Sequence, residues 1–170
     1  MRKIDLIERN LLSKIHKTTI FQYLDDDERA QLLKIVDILE YRNGEKVVVQ
    51  GEVSSCFYAV VSGNLNVTVT GENGKEIQVS SISEGNFFGE TGIFTDGQRT
   101  ANVIANDTVQ VLRFGRNDFF TFLRNHPKTG VKLLMLFVHG LMNRLNAANK
   151  EIVDERDTLS DKILFFEKPE

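Results

Sequence analysis

The segment FFGETGIFTDGQRTA, Phe87 to Ala101, decides how this chain is read. A Gly-Glu pair at Gly89 and Glu90 is followed by Gly92, and Arg99-Thr100-Ala101 begins nine residues beyond the glutamate. The stretch gathers a carboxylate, a guanidinium, a hydroxyl and the backbone amides of a glycine-containing turn or short helix. Such groups suit one small ligand that carries a phosphate and sugar hydroxyls. On the residues alone, the alternative is an ion pair between Glu90 and Arg99 that merely supports a turn.

The flanks of this segment read as β structure. From Tyr41 onward, short runs rich in β-branched and aromatic residues recur at 47–49, 56–61, 65–70, 77–82, 101–105 and 109–114. They are separated by Asn43-Gly44, Gly51, Ser62-Gly63, Asn73-Gly74, Glu84-Gly85 and Asn106-Asp107, so a turn signal arrives about every eight to twelve residues as far as Gly85, and the longer interval after it holds the quoted segment. That rhythm predicts an all-β sandwich or barrel. Asn73-Gly74 is the clearest hairpin, since both residues tolerate the positive φ of a type I′ turn. Leu65-Asn66-Val67-Thr68-Val69-Thr70 alternates most sharply, predicting one apolar and one wet face.

Helices are expected on either side. Ile4, Ile7, Leu11 and Ile15 share one face of a helix over 3–16. Asp25 and Glu28 have the spacing of a capping box, and a second helix is expected to run to Leu39, burying Leu32, Leu33, Val36 and Leu39. The acids at its start are favoured by the helix dipole and need no metal. After Arg116, Asn117 is the expected N-cap of a short helix holding Phe119, Phe120 and Leu123, and Pro127 suits the first turn of the next. In that last helix Val131, Leu134, Val138, Leu141, Leu145, Ala148 and Ile152 follow at alternating intervals of three and four, a heptad seam. The helix is long for a domain of this size, so the seam is read as a homodimer contact.

Bulk composition narrows the function. A length of 170 residues favours one compact domain, and a net charge of -3 disfavours direct nucleic-acid binding. The single cysteine, Cys56, can form no internal disulfide and reads as a small buried residue in a reducing compartment. No apolar run is long enough to span a membrane, and Asp5 and Glu8 interrupt the block a secretory signal needs. A cytoplasmic location without membrane contact is expected. The three histidines, His16, His126 and His139, all lie outside the β region, so a metal-binding enzyme on a β-roll is excluded; no catalytic Ser-His-Asp or Cys-His set is apparent. The chain is expected not to be an enzyme, with no catalytic residue, metal or cofactor.

At this point the order of elements and the residues at 87–101 resemble the cyclic nucleotide-binding domains of bacterial catabolite activator proteins, kinase regulatory subunits and cyclic-nucleotide-gated channels. The resemblance spans roughly 18–150 and includes Gly44-Glu45, Gly51-Glu52, Phe57-Tyr58 and Val61-Ser62-Gly63-Asn64-Leu65. It implies a mainly β fold with flanking α: an eight-stranded jelly-roll β-barrel with N-terminal helices, a short phosphate-binding-cassette helix and a long C-terminal helix. The implied domain is 1–157, with helices over 1–40, the β-roll over 41–115, further helices over 116–157, and a tail at 158–170. The resemblance also assigns a cAMP or cGMP ligand to Gly89, Glu90, Gly92, Arg99 and Thr100. Arg99 would take the phosphate, Glu90 the ribose 2′-hydroxyl, and Thr100 the phosphate or a purine amino group. Gly89, Glu90 and Gly92 would open the cassette helix, whose amides attract the anion. Thr91 departs from the aliphatic residue usual there. Asn143 and Arg144 are the possible base contacts on the closing helix.

The implied function is a signalling sensor whose ligand moves the C-terminal helix and its dimer, acting on an unidentified effector protein or domain. One alternative is a degenerate module used only for dimerisation or docking. Another is the sensor half of a truncated transcription regulator, because only 18 residues follow Ile152 where a helix-turn-helix would need roughly 60 to 70. The apolar block Ile163-Leu164-Phe165-Phe166 in the tail is expected to dock on the β-roll or on a partner subunit.

Overall fold

A computed structural model describes the backbone of residues 1–4 and 9–166, and side chains at 1–4, 11–150, 152–154 and 156. The β region begins earlier than the apolar spacing predicts. Helix α1 (Arg9–Lys17) buries Leu11 and Ile15 as expected, and a short α2 (Thr19–Gln22) follows. Arg2–Lys3, however, is strand β1, and Ile4 N donates to Ile38 O; Ile7 lies outside the described residues. Helix α3 (Asp26–Leu33) stops at Leu33, and Val36–Tyr41 is strand β2 rather than the end of a helix reaching Leu39. Ile35, Val36 and Ile38 are β-branched, which restricts them in a helix and suits a pleated surface. Pairing with β9 (Val109–Gly115), from Val36 opposite Phe114 to Tyr41 opposite Val109, decides between the two.

The remaining strands are β3 (Lys46–Val48), β4 (Cys56–Ser62), β5 (Leu65–Thr70), β6 (Glu76–Ile82), β7 (Phe87–Phe88) and β8 (Asn102–Ala105). They form two antiparallel sheets, ordered β1-β2-β9-β4-β7 and β3-β8-β5-β6. The nine strands among the described residues exceed the eight expected; β1, β2 and β7 are the ones the sequence reading lacks. Leu39, Tyr41, Val60 and Val111 of the first sheet share one buried cluster with Val48, Leu65 and Val103 of the second. The β5–β6 connection is not a type I′ turn: Gly74 has φ 75°, but Asn73 does not enter the positive region. Gly71 N instead donates to Lys75 O, and Asn73 Oδ1 accepts from Lys75 N. Thr68, expected on a wet face, is buried.

Helix α5 (Arg116–Asn125) is capped at Gly115 rather than Asn117. Its Phe119 packs edge-on against Phe57, which stacks on Phe114 at 4.4 Å between centroids. Helix α6 (Pro127–Phe166) starts at the proline, as the sequence indicates, and runs 40 residues, so 158–166 continues the helix instead of forming a separate tail. The side chains of Ile163 to Phe166 lie outside the described residues. The chain divides into two units, Met1–Leu133 and Leu134–Glu170. Along α6, Val131, Leu134, Val138, Leu141, Leu145 and Ile152 are between 39% and 61% exposed, and Ala148 is exposed as well.

The capping box at α3 forms as predicted and also grips the start of α6. Glu28 N donates to Asp25 Oδ1 at 2.9 Å and Asp25 N to Glu28 Oε2 at 3.0 Å. The same carboxylate accepts Thr129 Oγ1 at 2.9 Å and Lys132 Nζ at 2.7 Å. Burial opposes ionisation of Glu28, but Lys132, the Asp25 amide and Thr129 outweigh it and hold its pKa below the ordinary 4.5. A carboxylate with a depressed folded pKa stabilises the fold above its unfolded pKa and loses that contribution as pH falls through the folded one. Glu28→Gln is therefore expected to cost about 1 kcal/mol at neutral pH, a value discounted for the half-exposed lysine. The gap from wild type should narrow in thermal melts as pH falls below 4.5 and on through the lowered folded pKa.

Candidate functional site

Two short strands and a reversed backbone build the site. Phe88 of β7 pairs with Tyr58 of β4, and their rings stack at 5.1 Å between centroids, which fixes the entry of the segment. Gly89 then takes φ 75°, a region open to glycine and strained for other residues. Helix α4 (Thr91–Phe94) follows, with Ile93 fully buried beneath it. On the return, Arg99 N donates to Glu52 O at 2.8 Å and Gly51 N to Arg99 O at 2.9 Å, locking Arg99 against the 51–53 loop.

Arg99 is the centre of the arrangement. It is only 7% exposed, as is Glu90. Its Nη1 donates to Gly89 O at 2.7 Å; its Nη2 donates to Cys56 O at 2.6 Å and Ser54 Oγ at 3.1 Å. The Cys56 thiol lies 3.6 Å from Nη2. Nε is buried and makes no hydrogen bond within the chain. Of the five N–H donors of a guanidinium, Nε–H and one Nη1–H are thus left over. A buried donor without an acceptor costs about 1–3 kcal/mol, a deficit an anionic ligand would remove.

The two glycines earn their places by space. A Cβ on Gly89 would stand 2.9 Å from Arg99 Nη1. One on Gly92 would stand 2.4 Å from Ser54 O and 2.7 Å from Arg99 Nη1. The amide of Gly92 is not available to an anion, contrary to expectation, because it donates to Gly89 O at 3.0 Å; the Ile93 amide likewise donates to Glu90 O. Thr100 is exposed beside the arginine, so its hydroxyl is accessible.

Sequence reading did not single out Ser54, and it took Cys56 only as filler. Ser54 Oγ lies 3.2 Å from Cys56 Sγ, which donates to Tyr58 OH at 3.4 Å. Burial pushes the thiol up, but Ser54, Tyr58 and Arg113 together bring it below its ordinary value; burial and the same thiol push Tyr58 up. The only signal was position, between Gly51-Glu52 and Phe57-Tyr58. Beyond α4, Arg116 of α5 pairs with Asp96 and Phe120 meets Phe94 edge-on at 6.1 Å, tying the far end of the segment to the helical region. Asn143 and Arg144 lie in the second unit, on α6, where both are exposed. Asn143 Nδ2 lies 3.5 Å from His139 Nδ1, and Arg144 Nε donates to Gly140 O.

Among the described residues no cluster of His, Cys, Asp and Glu could hold a metal ion, and no helix is long and apolar enough to cross a membrane.

Comparison with known proteins points to one family. The cGMP-dependent protein kinase egl-4 of Caenorhabditis briggsae is 35% identical over 112 residues, covering 65% of this chain and 15% of that protein. The chain therefore spans about a seventh of the length of that curated relative. A cyclic nucleotide-binding domain from Methylobacillus flagellatus superposes with a TM-score of 0.75 over 85% of this chain and 82% of its own, at 19% identity, a likeness of fold alone. The regulatory domain of Toxoplasma gondii PKA, solved with cAMP, superposes with a TM-score of 0.59 at 27% identity, covering 67% of this chain and 44% of its own. Residues 38–126, which include all of Phe87 to Ala101, match the model of the cyclic nucleotide-binding domain, a regulatory and not a catalytic module. That match takes in more than half of the 170 residues, and the chain belongs to the cyclic nucleotide-binding domain family.

Proposed function

We propose that this chain is a signalling sensor module that binds cAMP or cGMP and answers with its C-terminal helix. The observation that carries the reading is Arg99, a buried guanidinium with an unsatisfied Nε–H in a seat that two glycines keep open. A cyclic phosphodiester offers the acceptor that this donor lacks, and a charge-assisted bond in such surroundings is about twice as strong as a neutral one. Glu90 accepts the ribose 2′-hydroxyl. Thr100 adds a hydroxyl to the phosphate or the purine. One relative is a cGMP-dependent kinase and another was solved with cAMP, so the ligand is stated as either nucleotide. In this reading the two sheets are the family's jelly roll, and Asn143 and Arg144 supply contacts to the base.

The response follows from differential contact. Ligand bound to both the cassette and α6 favours the state in which both touch it, and that preference shifts the population. The exposed stripe from Val131 to Ile152 supports a homodimer through α6, because an apolar heptad seam left in water favours association. The dimer passes the change to an effector protein or domain; the module itself catalyses nothing, contacts neither membrane nor nucleic acid, and works in the cytoplasm.

Titration calorimetry with cAMP and cGMP tests the sensor. Heat is expected with at least one of them at micromolar affinity or better. No heat with either would leave a module for dimerisation or docking. Sedimentation tests the seam separately: wild type is expected as a dimer and Leu141→Asp as a monomer, and a monomeric wild type would remove the dimer.

A further inference from the structure

Ser54 touches the site twice, through different atoms. Its hydroxyl accepts from Arg99 Nη2 at 3.1 Å, and its carbonyl lies so close to Gly92 that a Cβ there would come within 2.4 Å. It belongs to neither side of the sequence motif, yet like Gly89 it meets both the arginine and the cassette helix α4, and it alone of the two does so partly through a side chain. The other bonds of Arg99 go to main-chain carbonyls, Gly89 O and Cys56 O, which every sequence would supply, and to the Cys56 thiol at 3.6 Å, a weak acceptor. The Ser54 hydroxyl is thus the strong side-chain acceptor that sets how the guanidinium is turned, and the Cys56 thiol lies against it at 3.2 Å.

We infer that Ser54 is a positioning residue for Arg99, holding Nη2 so that Nε–H and the spare Nη1–H are left for the ligand's phosphodiester. The inference rests on the cyclic-nucleotide reading for its ligand, but the presetting of Arg99 is a property of the ligand-free chain. A guanidinium fixed in advance loses less rotamer freedom on binding, and that saving appears as affinity. Because Ser54 acts on the phosphate end, its removal changes affinity for both nucleotides by the same factor and leaves their ratio alone. Residues that read the base would change the ratio.

The test combines titration of the full chain with the Arg99 Nε–Hε resonance, assigned by its loss in Arg99→Lys. In wild type without nucleotide, a sharp Nε–Hε signal is expected. Ser54→Ala should broaden that signal and raise Kd about tenfold for cAMP and cGMP alike, or roughly 1.4 kcal/mol. Ser54→Thr, which keeps the hydroxyl, should restore both. The carbonyl facing Gly92 is unchanged in these variants, so the fold is expected to survive, and equal melting temperatures check it. Wild-type affinity in Ser54→Ala overturns the inference. So does weaker binding with an unchanged Arg99 signal, or a shift in the ratio of the two affinities. Absence of heat with wild type would instead sink the cyclic-nucleotide reading, and the resonance would still report whether Ser54 presets Arg99.

Discussion

Arg99→Ala is expected to weaken the binding of either cyclic nucleotide by at least about a hundredfold, close to 3 kcal/mol. The ligand would lose the buried guanidinium, which leaves a phosphodiester in a dry seat. Truncating one partner of a buried, hydrogen-bonded charge pair typically costs about 2–5 kcal/mol for this reason. The variant should also be less stable without ligand, since Cys56 O loses the guanidinium and Gly89 O keeps only the Gly92 amide, and buried unsatisfied groups cost about 1–3 kcal/mol. Arg99→Lys separates charge from shape. Lysine keeps the positive charge but cannot reach both carbonyls and the ligand with a planar fork, so affinity should fall nearly as far. Calorimetry with both variants, alongside thermal melts, reads each effect.

Gly92→Ala is expected to injure the site without removing any polar group. The new methyl would stand 2.4 Å from Ser54 O, a backbone atom that cannot swing aside, and 2.7 Å from Arg99 Nη1. Overpacking of this kind costs about 1–3 kcal/mol in stability. Relief requires α4 to withdraw from the 51–56 segment, which carries Gly89 O away from the guanidinium. Cyclic-nucleotide affinity should therefore drop at least about tenfold even where the fold survives, as in melts showing a cooperative transition. Unchanged affinity would mean that α4 does not set the arginine's position.

The site was more legible in the sequence than the outline of the fold. Glycines and charged groups in a fixed order have few physical uses, and Gly89, Gly92 and Arg99 come together at the packing distances that make those glycines necessary. The boundary at Val36–Tyr41 was misread because Leu32, Leu33, Val36 and Leu39 also fit a helical stripe. Only the partner strand β9, roughly 70 residues away, settles the choice, and no local pattern contains it. β1 and β7 are two residues each, too short for any periodicity. Ser54 escaped for another reason. A serine in a loop carries no pattern, and its meaning arises from an arginine 45 residues later. The heptad seam was visible as spacing, and its apolar residues are exposed in the structure.

The most direct measurement of the central claim is the 31P resonance of cAMP or cGMP titrated with the chain. Wild type is expected to move the phosphodiester signal to a bound position, and Arg99→Ala to leave it at the free position at the same protein concentration. An identical bound shift with the two proteins would contradict the assignment of the phosphate to Arg99.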